Sequence, residues 1–143
     1  EIELGANVCQ LLFENGESLA TWECGTQGQL AAMLHTPRYP ALVATRFDMA
    51  TDKLPFPPNT SAAQLVNLAT DFRKTTDATY AIVVGPVRFP DQSGEKIPRF
   101  DVAIAYKEGS DVQTHDFTGH PDILLTKAAK QAINQLRLHM QSI

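Results

Sequence analysis

Cys24 opens a run of small residues, Cys24-Gly25-Thr26-Gln27-Gly28, that joins an extended segment to a helical one. A thiol at such a turn faces the positive end of the following helix, which lowers its pKa and favours the nucleophilic thiolate. No histidine or lysine stands close to it in sequence to act as a base, so the plainer reading, a small residue without chemistry, is preferred. Thr26, Gly28 and the unpaired N–H groups of the next helix suit a phosphate, because helix N-termini bind anions without special side chains. An ordinary helix cap is the alternative. Arg88, Lys96 and Arg99, on or beside a proline-rich loop, suit pairing with a nucleotide phosphate, although charges on loops are more often merely solvated. His35, His115, His120 and His139 show no metal-ligand spacing, so neither a metal nor another cofactor is expected. His35 and His139 read as favourable charges near helix C-termini.

The elements that must position these groups follow from periodicity. Leu4, Val8, Leu11 and Leu12 recur near helical spacing and Asn15-Gly16 supplies a left-handed stop, which predicts a helix over 2–15. Residues 18–23 look extended, and a second helix through Leu30, Met33 and Leu34 closes before Pro37. A strand is predicted over 41–47, then an irregular stretch over 48–59, where Pro55, Pro57 and Pro58 prevent regular structure. Thr60 or Ser61 caps a helix to about Lys74, and the continuous apolar run over 79–84 reads as a central strand covered on both faces. Residues 85–98, with Pro86, Pro90, Gly94 and Pro98, form a long loop. Two alternating strands form a hairpin around Glu108-Gly109-Ser110-Asp111. A last helix opens near Pro121 and buries Ile123, Leu124, Ala128, Ala132, Ile133, Leu136 and Met140. This order predicts an α/β fold, a three-layer α/β/α sandwich with a mixed sheet. Ligands in such sheets sit at the carboxyl ends of strands, where the loops 24–28 and 85–98 fall.

Composition narrows the function classes. A chain of 143 residues fits one domain, 1–143, and 43% hydrophobic with 20% charged residues describes an ordinary folded protein. Twelve basic and sixteen acidic side chains give a net charge of -4, with no basic face interleaved with aromatics, so nucleic acid is not an expected partner. The apolar runs are too short to span a bilayer and no signal peptide opens the chain, so no membrane partner and a cytoplasmic location are expected. Cys9 and Cys24 lie on different elements without CxxC or zinc spacing and are expected as free thiols.

Three segments together resemble a known family. Ala20-Thr21-Trp22-Glu23-Cys24-Gly25-Thr26-Gln27-Gly28-Gln29-Leu30-Ala31-Ala32-Met33-Leu34 aligns without a gap to the pattern Ala-Thr-Ala-Glu-Ser-Cys-Thr-Gly-Gly-x-Leu-Ala-Ala-x-Leu of the CinA C-terminal domain. That family includes the nicotinamide mononucleotide (NMN) deamidases, also described as competence-damage-inducible CinA-like proteins. The loop from Gly85 through Pro90-Asp91-Gln92-Ser93-Gly94-Glu95-Lys96 to Pro98, and Phe117-Thr118-Gly119-His120-Pro121-Asp122, are similar to two further family segments in the same order. The resemblance implies the CinA C-terminal fold over nearly the whole chain.

It also implies where the family's chemistry falls. Members use an activated serine with a tyrosine, a lysine and an arginine to hydrolyse the NMN carboxamide and release ammonia. Matched by position, the serine is Cys24, the tyrosine Thr45, the lysine Ala50 and the arginine Pro121, while the residue opening the glycine loop at Gly85 is Val84. Gln27 stands where the family has glycine, which favours the plain helix cap, and His120 where it has an acidic residue, which makes His120 a candidate ligand contact, although plain surface is the preferred reading. Removing one group that takes the proton or holds the oxyanion typically costs two or more orders of magnitude in rate. The expected function is therefore a catalytically inactive CinA-like protein that retains a nicotinamide nucleotide or other small molecule, with Thr26, Gly28, Thr45, Gly85, Arg88, Lys96 and His120 as its contacts. The alternatives are a divergent amidohydrolase using Cys24, and a scaffold or interaction protein with no small-molecule site. Association into a homo-oligomer is a further implication. Trp22, Phe89 and Phe100 replace small family residues and either fill the old cleft or repack the core.

Overall fold

The structure, a computed structural model, describes residues 2–53 and 55–142. The apolar run predicted to be central is central: β3 (Tyr80–Val84) is wholly buried and lies third in the strand order β2-β1-β3-β4-β5. β1 (Leu19–Glu23) pairs in parallel with both β2 (Leu42–Phe47) and β3, and β4 (Arg99–Tyr106) runs antiparallel to β3 and to β5 (Gly109–Asp116). Because side chains alternate along a strand, Ile82 and Val84 face one layer and Val83 the other. The first layer is α1 (Ile2–Glu14), α2 (Gln29–Leu34) and α5 (Leu124–Gln141), packed around Val8, Leu12, Leu30, Ile133 and Leu136. The second is α3 (Ala62–Thr76), whose Leu65 and Ala69 pack on Trp22, Val83 and Ala103. This is the predicted three-layer mixed-sheet arrangement.

Local chemistry explains most boundaries. Ser61 Oγ accepts from the Gln64 N–H at 3.1 Å and Gln64 Oε1 accepts from the Ser61 N–H at 2.7 Å, a reciprocal cap that starts α3. Gly5 lets α1 cross α2 closely, since a Cβ there would stand 2.1 Å from the Met33 carbonyl oxygen. The stretch 48–59 is irregular in its described residues, and Leu54 lies outside them.

Four expectations are corrected. The hairpin turns on Lys107-Glu108 rather than on 108–111, so Tyr106 pairs with Gly109 and Gly109 already belongs to β5. The last helix opens at Leu124, three residues beyond Pro121, because residues 121–123 form a separate turn closed by the Ile123 N–H on the His120 carbonyl at 3.0 Å; Ile123 is left exposed. Leu11 is exposed because the buried stripe of α1 runs through Val8, Cys9 and Leu12. The loop 85–98 contains one helical turn, α4 (Pro90–Ser93), started by Pro90 and ended by Gly94 at φ 77. Among the described residues no helix is long and apolar enough to cross a membrane.

Candidate functional site

The turn after β1 is fixed by backbone bonds that continue the sheet. The Cys24 N–H donates to the Val84 carbonyl at 2.9 Å, the Gly25 N–H to the Gly85 carbonyl at 3.1 Å, and the Gly85 N–H to the Asp101 carbonyl at 2.9 Å. Gly25 tolerates no side chain, since a Cβ would come within 2.8 Å of the Gly85 oxygen. Gly85 thus positions the turn and is buried behind it.

The opening of α2 is already occupied by an anion of the chain itself. Glu23, the last residue of β1, is 1% exposed. Its Oε1 accepts from Thr26 Oγ1 at 2.5 Å, from the Gly28 N–H at 3.1 Å and from the Leu30 N–H at 2.9 Å, while Oε2 accepts from the Ala31 N–H at 3.0 Å. These are the donors that a helix N-terminus presents to an anion. Of the two readings of Thr26 and Gly28, a phosphate site and an ordinary helix cap, this arrangement matches the cap, with the carboxylate supplied by the chain. Sequence reasoning gave Glu23 no role; the signals were its match to the glutamate of the aligned pattern and its place shortly before a helix.

Beside this turn, at the strand ends, lies a cavity of about 320 Å³. Cys24, Gly25 and Gln27 form one wall, Phe47, Met49 and Ala50 after β2 a second, and Val87, Phe89 and Phe117 a third. Of the positions matched to the family's catalytic groups, the structure brings Cys24 and Ala50 together here. Thr45 is exposed on edge strand β2 and does not line the cavity. Arg88 does not reach it either: its Nε donates to Glu95 at 3.1 Å and its Nη1 to Asp101 at 2.9 Å, so it ties the loop to β4. Arg88, Glu95 and Asp101 line a separate polar cavity of about 460 Å³ with residues at the start of α3. Arg99 pairs with Asp116 and Lys96 is exposed. His120, also exposed, accepts the Asp122 N–H at Nδ1 within its own turn. His139, expected as a helix-end charge, packs its ring on Tyr106 at 4.2 Å and on Tyr80 at 5.9 Å.

Two of the three aromatics belong to the core: Trp22 packs beneath α3 and Phe100 beneath α5. Phe89 alone among them lines the Cys24 cavity.

The Cys24 thiol is free and buried, in line with the preferred reading of a small residue and not with an activated thiolate. Burial, and after it the negative charge of Asp48, pushes its pKa up to about 11 from the usual 9.0; Glu23 at the start of α2 counters the helix field that would lower it. Two units leave about 100-fold less thiolate at neutral pH. Alkylation of Cys24 in the native protein by iodoacetamide, followed by mass spectrometry, is expected to be about 100-fold slower at pH 7.5 than for a free thiol. Prompt labelling would contradict it. The raised value also has a stability consequence. The unfolded chain loses this proton first, so the contribution is fully present below pH 9.0 and is lost as pH rises through about 11.

No family sequence profile matches the chain, and no curated protein sequence matches it. Solved structures do. The competence or damage-inducible protein of Enterobacter asburiae superposes with a TM-score of 0.75 at 19% identity, over 94% of this chain and 94% of that one. A CinA superfamily protein from Klebsiella pneumoniae gives 0.75 at 21% identity, over 94% of both chains. One from Escherichia coli gives 0.74 at 22%, over 95% of this chain and 88% of that chain. At such identities the likeness is one of fold, and the chain has the CinA-like fold.

Proposed function

We propose that this chain is a CinA-like protein, related to the nicotinamide-nucleotide amidohydrolases, that binds a small molecule in the Cys24 cavity without hydrolysing it. The observation that carries this reading is the lining of the cavity. Hydrolysis of a carboxamide needs a base for the nucleophile's proton and donors for the oxyanion. Among the described residues the cavity wall contains no histidine, lysine, arginine, tyrosine or carboxylate. Among the motif residues kept, Glu23, Thr26 and Gly28 hold the turn: Thr26 and Gly28 each donate to the Glu23 carboxylate. The positions matched to the serine, tyrosine, lysine and arginine hold Cys24, Thr45, Ala50 and Pro121, none of which is a base at neutral pH. A scaffold without any small-molecule site would need a closed cleft, and the cavity of about 320 Å³ argues against it.

Ammonia release from NMN at high protein concentration, beside Cys24→Ala, tests the reading. No release from either protein is expected. Release that disappears in Cys24→Ala would make Cys24 a catalytic thiol and overturn it.

A further inference from the structure

The cavity beside Cys24 is unlike a nucleotide site in both charge and polarity. Its lining residues are apolar except for Cys24, Gly25 and the exposed Gln27. Moving an anionic group into such a wall costs its hydration with no cation to replace it. The charge that acts on Cys24 is the negative Asp48 carboxylate, held by Trp22 Nε1 at 2.7 Å and by Arg46 Nε at 2.8 Å, so the Arg46 cation beside the cavity is already paired. The positive end of α2 is countered by Glu23. Phosphate therefore finds no donor set here.

The rim points to what does fit. Phe47, Met49 and Phe89 are 49%, 72% and 44% exposed, so three large apolar side chains meet solvent around one opening. Isolated exposed apolar residues need no explanation, but a cluster lining a concavity marks a site that an apolar partner covers. A volume of about 320 Å³ lies at the lower end of the range of small-molecule pockets, about 300–1,000 Å³. It suits a molecule of one or two rings better than a peptide segment.

Gln27 supplies the one neutral polar side chain. It holds φ 52, a left-handed conformation that glycine adopts without strain, and is followed by Gly28 at φ 89. A non-glycine residue kept in that region at a cavity mouth is an observation from which a functional role can be inferred. Its carboxamide can both donate to and accept from a ligand.

We propose that the Cys24 cavity binds an uncharged planar aromatic molecule, stacked among Phe47, Phe89 and Phe117 and hydrogen-bonded by Gln27, in preference to any anion. The proposal rests on the reading that this cavity binds rather than hydrolyses. The ligand class is set by two features, an apolar wall that excludes charge and a single neutral donor and acceptor that orients the ring.

Amide-resolved NMR titration of the full chain tests it with three probes: indole, indene, which lacks the N–H, and indole-3-carboxylate, which adds a charge. Indole is expected to shift the amides of Gly25, Gln27, Ala50 and Val87, with a Kd near about 1 mM for a fragment of this size. Indole-3-carboxylate is expected to bind at least about 10-fold more weakly. Gln27→Gly should abolish the preference for indole over indene while Tm stays the same or rises, because glycine relieves the left-handed backbone. Ala50→Trp, at an exposed wall position, should block all three probes while the protein stays folded. Absence of shifts with indole and indene, or tighter binding of the carboxylate, would overturn the proposal. So would shifts at the same amides on simple concentration of the protein, which would make a second copy the occupant. Ammonia release from NMN would count against the non-hydrolytic reading and leave these titrations to be judged separately.

Discussion

Glu23→Ala is expected to destabilise the fold by about 3–5 kcal/mol, a large share of the about 5–15 kcal/mol that holds a domain of this kind folded. The carboxylate is buried and accepts four hydrogen bonds, three of them from backbone N–H groups opening α2. A methyl group leaves those donors without a partner, in a turn whose Cys24 and Gly25 N–H groups are already used by Val84 and Gly85. Orphaned buried donors each cost about 1–3 kcal/mol. Water reaching the emptied site recovers part of this, which keeps the total below the simple sum. Glu23→Gln separates charge from shape: one oxygen still accepts, but the NH2 group faces an N–H, and about 1–3 kcal/mol is expected. Urea unfolding of the three proteins measures both values from the shift in midpoint at unchanged m-value. A Glu23→Ala midpoint close to that of the parent would mean that the α2 N-terminus is satisfied some other way.

Glu23 also shows what the sequence made legible and what it hid. Periodicity located every strand and every long helix, because burial on one or both faces imposes a repeat that can be read directly: Val8, Leu12 and Ile133 report a helix face, and the run Tyr80–Val84 reports a covered strand. Boundaries set by hydrogen bonds rather than burial were harder. Pro121 is suited to a first helical turn, yet the 121–123 turn delays α5 to Leu124. The candidate site was legible as a place, the ends of β1 and β3, and not as a chemistry. Thr26 and Gly28 were correctly marked as helix-opening donors, but a sequence gives donors without their acceptor, and the acceptor, Glu23, stands three residues before the turn's own threonine. Arg88 likewise reads as an available cation until Glu95 and Asp101 are seen on either side of it.

Trp22→Ala is the second substitution with a large expected effect, and it separates two roles for an aromatic beside Cys24. The ring packs edge-on to Phe56 at 5.5 Å and against Phe72 at 5.3 Å, with Arg46 4.2 Å above it and its Nε1 donating to Asp48. Removing it deletes a large buried surface, leaves a void beneath α3 and takes a donor from Asp48, which together are expected to cost about 3–5 kcal/mol. Trp22→Phe keeps most of the packing and should cost clearly less. Arg46→Ala, which removes the cation above the ring and its exposed pairing with Asp48, is expected to cost about 0.5–1.5 kcal/mol, the exposed-site values for the two contacts together. These values come from the same urea series. The functional half of the prediction lies in what does not change. Trp22 belongs to the core cluster with Phe56 and Leu65 and is not on the wall of the Cys24 cavity. Under conditions where Trp22→Ala is folded, its indole titration is expected to match the parent's within about twofold, since no cavity contact is lost. A cleft that opened and gained affinity in Trp22→Ala would make this tryptophan a plug in the site rather than part of the interior.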